Sequence, residues 1–118
     1  MIERQRIVHN GVEYLVTVEA DPDDTPASYD CYTAEQVAAW RADEWQFVSV
    51  VVEDGAGHGV YLAGVEYGRI TPDRFVSLDT FLTEPYMQTR RSDETEWTSV
   101  TLVGSLIHEI EYVRKSER

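Results

Sequence analysis

The sequence predicts an α+β domain: two hairpins forming a four-stranded antiparallel sheet, in the order β-β-α-β-β-α-α, with helices packed on one face. Three observations carry that expectation. Asn10-Gly11 separates two runs in which apolar residues alternate, and both residues tolerate the positive φ of a tight hairpin turn. Phe47–Val52 is almost continuously apolar and leads through Asp54-Gly55-Ala56-Gly57-His58-Gly59 into a second apolar run, the pattern of a central strand and its return. Between and after the hairpins, apolar residues recur at helical spacing behind capping residues.

The first hairpin spans residues 1 to 20. Val12, Tyr14, Val16 and Val18 form the buried face of its second strand, and the first strand, Ile2 to Val8, turns Arg4 and Arg6 outward as an edge. Residues 20 to 32 hold two prolines and four aspartates, which exclude a central strand. Loops of that length are usually functional or mobile. Thr33-Ala34-Glu35-Gln36 is a capping box, in which the Thr hydroxyl and Gln amide satisfy each other's free backbone N–H groups. It opens a helix with Val37 and Trp40 inward, ending near Asp43. Val60 to Tyr67 is the return strand of the second hairpin, closed by Gly68. Thr71-Pro72-Asp73 reads as the start of a second helix, with Thr as cap and Pro at the first helical position. Phe75, Leu78 and Leu82 mark its buried stripe, Pro85 stops it, and Tyr86 to Ser92 form a connector. A second capping box, Asp93 with Glu96, opens a last helix running to about Lys115. Its apolar residues, from Trp97 through Ile107 to Val113, exceed the stripe of about 100° expected of a surface helix. Such a face packs between layers or is lent to a second chain. The expected core includes Phe47, Val50, Val52, Leu62, Val65, Phe75, Leu78, Val103, Ile107 and Ile110.

The length, 118 residues and 13.5 kDa, fits one domain over residues 1 to 118 that buries roughly two thirds of its unfolded surface. One cysteine, Cys31, excludes an internal disulfide framework and a cysteine-rich zinc site. The sequence holds no stretch of about 18 apolar residues, and its start, Met1-Ile2-Glu3-Arg4, lacks the apolar run of a signal peptide. The expected location is the cytoplasm.

Charge is the most polarised property. The chain carries 22 acids against 10 bases, a net charge of -12. Twelve of the acids and only one base, Arg41, lie between residues 12 and 66, so that stretch carries -11 and the remainder -1. Acids so gathered repel one another and work against the fold. One reading is solubility. The other is a basic partner: carboxylates on a firm surface imitate the phosphate row of a nucleic acid, about one charge per 1.7 Å of duplex axis. The same charge disfavours direct nucleic-acid binding, even were Arg69, Arg74, Arg90 and Arg91 to cluster. The candidate contact residues are Asp21, Asp23, Asp24, Asp30, Glu35, Asp43 and Glu44. Tyr29 and Tyr32, set among them, are candidate anchors, because tyrosine supplies interface area at low entropic cost.

The residues of common catalytic devices do not converge. His9, His58 and His108 lack the spacing of a metal site, and His108-Glu109 is not followed by the second His of a zinc-protease helix. Cys31 lies beside Asp30, and a neighbouring carboxylate makes a thiol a poorer nucleophile. Gly55, Gly57 and Gly59 resemble a phosphate loop, yet they lead into a strand rather than a helix N-terminus. Gly104-Ser105 falls inside a helix, which is not a nucleophile elbow. No catalytic residue, metal or cofactor is therefore expected.

Glu44-Trp45-Gln46-Phe47-Val48-Ser49-Val50-Val51-Val52, followed by Gly59-Val60-Tyr61-Leu62-Ala63-Gly64-Val65-Glu66-Tyr67-Gly68, resembles a segment of small acidic accessory proteins from phages of actinobacteria. The resemblance implies a small phage accessory protein and no particular activity. The reading is thus a non-enzymatic acidic protein that engages and inhibits or modulates a basic, nucleic-acid-binding host protein by mimicking DNA. Two alternatives stand beside it: an oligomeric accessory protein, a homodimer included, that associates through the broad face of the last helix, and a small enzyme with an unrecognised site.

Overall fold

A computed structural model describes residues 1–90 and 93–117. The chain is α+β, but its curled antiparallel sheet has five strands, not the expected four, and two more strands fall between the last two helices; the sheet order is β1-β2-β3-β4-β5: β1 (Glu3–His9), β2 (Val12–Ala20), β3 (Trp45–Asp54), β4 (Gly59–Thr71) and β5 (Arg74–Val76). A two-stranded sheet pairs β6 (Met87–Thr89) with β7 (Thr98–Val100). The helices are α1 (Ala34–Arg41), α2 (Leu78–Thr83) and α3 (Leu102–Ser116).

Strand alternation explains the layers. In β3, Val48, Val50 and Val52 point to one face, where Val50 stands beside Val18 and Val52 beside Val16. All five side chains are buried. On that face, Tyr14 meets Arg114 of α3, and Tyr67 lies 6.4 Å, centroid to centroid, from Phe81 of α2. Leu102, Val103, Leu106, Ile107 and Ile110 bury the inner stripe of α3. Trp45 and Phe47 point to the opposite face, where the indole of Trp45 donates to the Gln36 carbonyl of α1 at 2.8 Å. Helices therefore cover both faces of the sheet, not one.

Four further expectations change. Thr71-Pro72-Asp73 is the turn between β4 and β5, with Thr71 opposite Arg74, because Pro favours the second position of a β-turn as much as a first helical turn. The helix that follows starts later, behind Ser77. Phe75 is consequently not core: it lies on the edge strand, 61% exposed, with Arg69 5.8 Å over its ring. The Asp93/Glu96 capping box does not open the last helix. Thr98–Val100 is a strand, Trp97 is exposed, and Thr101 caps α3 by accepting from Gly104 N–H at 2.9 Å. Leu62 and Val65 are half-buried rather than fully buried. Arg91 and Ser92, assigned to the connector, lie outside the described residues.

Gly68 does not close β4; the strand passes through it with φ 109. A Cβ there would stand 2.6 Å from the Glu44 carbonyl oxygen and 2.9 Å from Trp45 Cα. The glycine lets the turn after α1 press against β4, where Arg69 N–H donates to that same carbonyl at 2.8 Å.

Gly68→Ala should therefore destabilise the fold by about 2 kcal/mol or more in urea unfolding, from backbone strain plus the clash. Ile107→Ala should cost about 2–5 kcal/mol, as expected for truncating a fully buried side chain of the helix that covers the sheet.

Candidate acidic interface

The acidic loop is built onto the core by its aromatics. After Pro26–Ser28, a single turn of 3-10 helix, Tyr29 stacks on Phe47 with ring centroids 5.4 Å apart, and Tyr32 lies 5.2 Å from Trp45. Burial, with the Glu66 carboxylate alongside, pushes the Tyr32 hydroxyl well above its ordinary pKa. The Tyr29 hydroxyl donates to Asp24 Oδ2 at 2.8 Å, a bond that also raises its pKa.

The candidate carboxylates divide into two kinds. Asp21 and Asp24 hold the loop in place. Asp21 Oδ2 accepts from Gly64 N–H at 3.2 Å, at the point where β4 bulges opposite β3 with Gly64 at φ 70. Asp24 accepts from Thr25 N–H at 3.0 Å besides Tyr29. Asp43 acts through its backbone. It takes φ 60 after α1, while its N–H donates to Trp40 and Glu44 N–H donates to Ala39. That is the paired ending of a helix C-terminus, with Asp in the left-handed position Gly usually takes. The side chains of Asp23, Asp30, Glu35, Asp43 and Glu44 are exposed. Among the described residues, none of the seven candidate carboxylates forms a salt bridge; those that occur join Arg6 to Glu13, His58 to Asp54 and Glu117, and Arg114 to Asp54.

The arrangement brings two groups together rather than one. Asp21, Asp24 and Tyr29 meet at Gly64. Glu35 and Glu44 flank a groove of about 500 Å³ between α1 and the β4–β5 turn, with Arg69 and Ile70 on its far side. Tyr32 and the α1 capping box, in which Gln36 N–H donates to Thr33 Oγ1 at 3.2 Å and Thr33 N–H to Gln36 Oε1 at 2.9 Å, stand between them. Sequence reasoning passed over Glu66, which pairs across the sheet with Phe47. Period-two alternation turns Glu66 to the face opposite Val65 and Tyr67, and the observed register makes that the Trp45–Phe47 face.

The broad apolar face of the last helix is occupied inside the fold. Its stripe is buried, and Tyr112 and Val113 remain exposed near the C-terminal end.

A titratable cluster lies outside the candidate acidic interface. His58 Nδ1 faces Asp54 Oδ2 at 2.9 Å and Nε2 faces Glu117 Oε2 at 2.8 Å. Arg114 approaches the same Asp54 oxygen at 3.8 Å and donates to the Tyr14 hydroxyl, fixing the end of α3 to the β3–β4 hairpin. A carboxylate on each ring nitrogen favours the protonated imidazole, the form that donates at both ends. The Glu117 and Asp54 bonds raise its pKa. Burial alone would raise the pKa of Asp54, but N–H donors from His58 and Ala56 and the His58 ring outweigh it and lower that pKa. Both nitrogens are engaged, so the ring fastens two elements.

No family model, curated protein or solved structure matches this chain. Among the described residues, no cluster of His, Cys, Asp and Glu is arranged to hold a metal, and no helix is long and apolar enough to cross a membrane.

The His58 fastening has a defined pH response. Its folded pKa lies above the unfolded value of about 6.5, so its contribution is complete below that value and is lost as pH rises through the folded one. The Asp54 contribution, from a depressed pKa, is present above about 3.9 and is lost as pH falls through the lower folded value. Thermal melts should show Tm declining as pH rises above about 6.5. In His58→Gln that decline should flatten while the acid limb persists.

Proposed function

We propose that this chain is a non-enzymatic acidic binding protein that engages a basic surface on another protein. The observation that carries the reading is the set of exposed carboxylates from Asp23 to Glu44, unbridged among the described residues and mounted on a loop and helix that aromatic stacking fixes to the sheet. Fixed acids lose little ordering entropy on contact and steer a basic partner into register. Tyr29, 40% exposed at its hydroxyl-bearing loop, supplies an apolar element among them. A nucleic-acid-binding protein is the finer proposal for the target, since its groove is built for an array of negative charge. The resemblance to actinobacteriophage accessory proteins supports a host protein in that place, with inhibition or modulation by occupancy as the outcome.

Fluorescent deca-lysine is a direct probe. Asp23→Asn/Asp30→Asn/Glu35→Gln should weaken binding about tenfold at low salt, chiefly by slowing association, and added salt should shrink the difference. Asp73→Asn/Glu96→Gln/Glu109→Gln removes equal charge elsewhere and should have much less effect. Equal weakening by both triple variants would reduce the reading to net charge and overturn it.

A further inference from the structure

We infer that the outer edge of β4, from Tyr61 to Glu66, is a docking edge for an extended basic segment of the partner protein, which adds to the sheet as a further strand. The inference rests on the reading of an acidic binding protein and names the form its partner takes.

The edge is open by geometry. β5 covers β4 only from Gly68 to Thr71 and then leaves the sheet for α2. In an antiparallel ladder, residues that exchange both hydrogen bonds with one neighbour alternate with residues whose backbone groups point the other way. The bond from Arg69 N–H to Glu44 C=O sets the phase at one end of β4, and the bond from Asp54 N–H to His58 C=O sets it at the other. Counting by twos along the register, Glu66 on one side of the Gly64 bulge, and Tyr61 and Ala63 on the other, direct N–H and C=O away from β3. The same count gives Gly68, which does face β5. Among the described residues, no backbone group bonds to Tyr61, Ala63 or Glu66 from that side.

A groove lies along this edge. Its volume is about 430 Å³, with β4 from Leu62 to Glu66 as one wall and Phe81, Glu84, Pro85 and Tyr86 opposite. That volume falls in the range of sites that take a ligand. Leu62, Val65 and Phe81 offer apolar contact for alternate side chains of a strand. Charge selects the occupant. Glu66 and Glu84 line the groove, Asp21 and Asp24 meet at Gly64 beside it, and the cation of the lining, Arg74, belongs to β5 at one end. Strand addition draws affinity from main-chain bonds and specificity from the flanking side chains, so a segment carrying Lys or Arg between apolar residues fits. A second copy is disfavoured as occupant because each chain carries -12.

The test uses the full chain and a peptide of about eight residues alternating Val and Lys, with three comparison peptides. These are an alternating Val and Glu peptide, a scrambled Lys peptide rich in Gly, and the Val–Lys peptide N-methylated along one backbone edge. Hydrogen exchange should show the amides of Tyr61, Ala63 and Glu66 becoming protected by the Val–Lys peptide alone. N-methylation should weaken binding about tenfold. Ala63→Pro removes an outward N–H while leaving the bonds to β3, and should weaken binding similarly. Should that variant fold poorly, the N-methylated peptide on the parent chain carries the same test. Glu66→Gln/Glu84→Gln should reduce the preference for Lys over Glu without abolishing protection. Binding of the Val–Lys and Gly-rich peptides with equal strength and no protection on β4 would overturn strand addition, while leaving the acidic-surface reading intact. Protection that rises with protein concentration without any peptide would overturn it in favour of pairing between copies, with β1 as the other edge.

Discussion

The fold depends on β3 having to bury both of its faces. With β2 and β4 on its two edges, its side chains are covered only if a layer lies above and another below. Val48, Val50 and Val52 are met by α3. Trp45 and Phe47, on the other face, are met by Tyr29, Tyr32 and α1, and no described residue outside the stretch from the acidic loop through α1 stacks on that aromatic pair. The acidic loop is therefore a structural layer as well as a surface. Its apolar half points inward as tyrosine rings, and its carboxylates are left on the outside by the same turn of chain.

That double role accounts for how the acids are tolerated. Crowded carboxylates repel one another, and the structure disposes of two of them by giving them donors: Gly64 N–H for Asp21, and Thr25 N–H with the Tyr29 hydroxyl for Asp24. Asp43 offsets its presence with a helix ending that few residue types can adopt. Asp23, Asp30 and Glu35 are exposed and have no structural role of this kind. Carboxylates that hold the loop and carboxylates that face solvent are thus distinguished within one short stretch of sequence.

Much of the fold was legible because its signals are local. Asn10-Gly11, the Thr33–Gln36 capping box and the alternation of β2 are each satisfied by residues a few positions apart, and each forms as read. The errors fall where two local readings are degenerate and a distant partner decides. Thr71-Pro72-Asp73 suits a helix start or a turn, and pairing of β5 with β4 selects the turn. Asp93 and Glu96 suit a capping box, yet Thr98–Val100 pairs with Met87–Thr89 and moves the helix start to Thr101. The division of the acids into holders and exposed groups was not legible either. It depends on Gly64 being brought to Asp21 across 43 positions of chain, and the charge pattern contains nothing of that contact.

The open edge of β4 raises the question of why such a strand does not pair with its own kind. Exposed edges are usually defended by charge, by bulges or by covering elements. Here the bulge at Gly64 breaks the run of outward backbone groups between Ala63 and Glu66, and Glu66 and Glu84 charge the groove. Both devices act against a flat, neutral or acidic strand. Neither acts against a flexible basic one, which can follow the bulge and neutralise the carboxylates as it does so. The net charge acts in the same sense, since copies repel one another while a basic chain is drawn in. Features that protect this edge from self-association are therefore the features that would give it a partner preference, and charge sign alone separates the two outcomes.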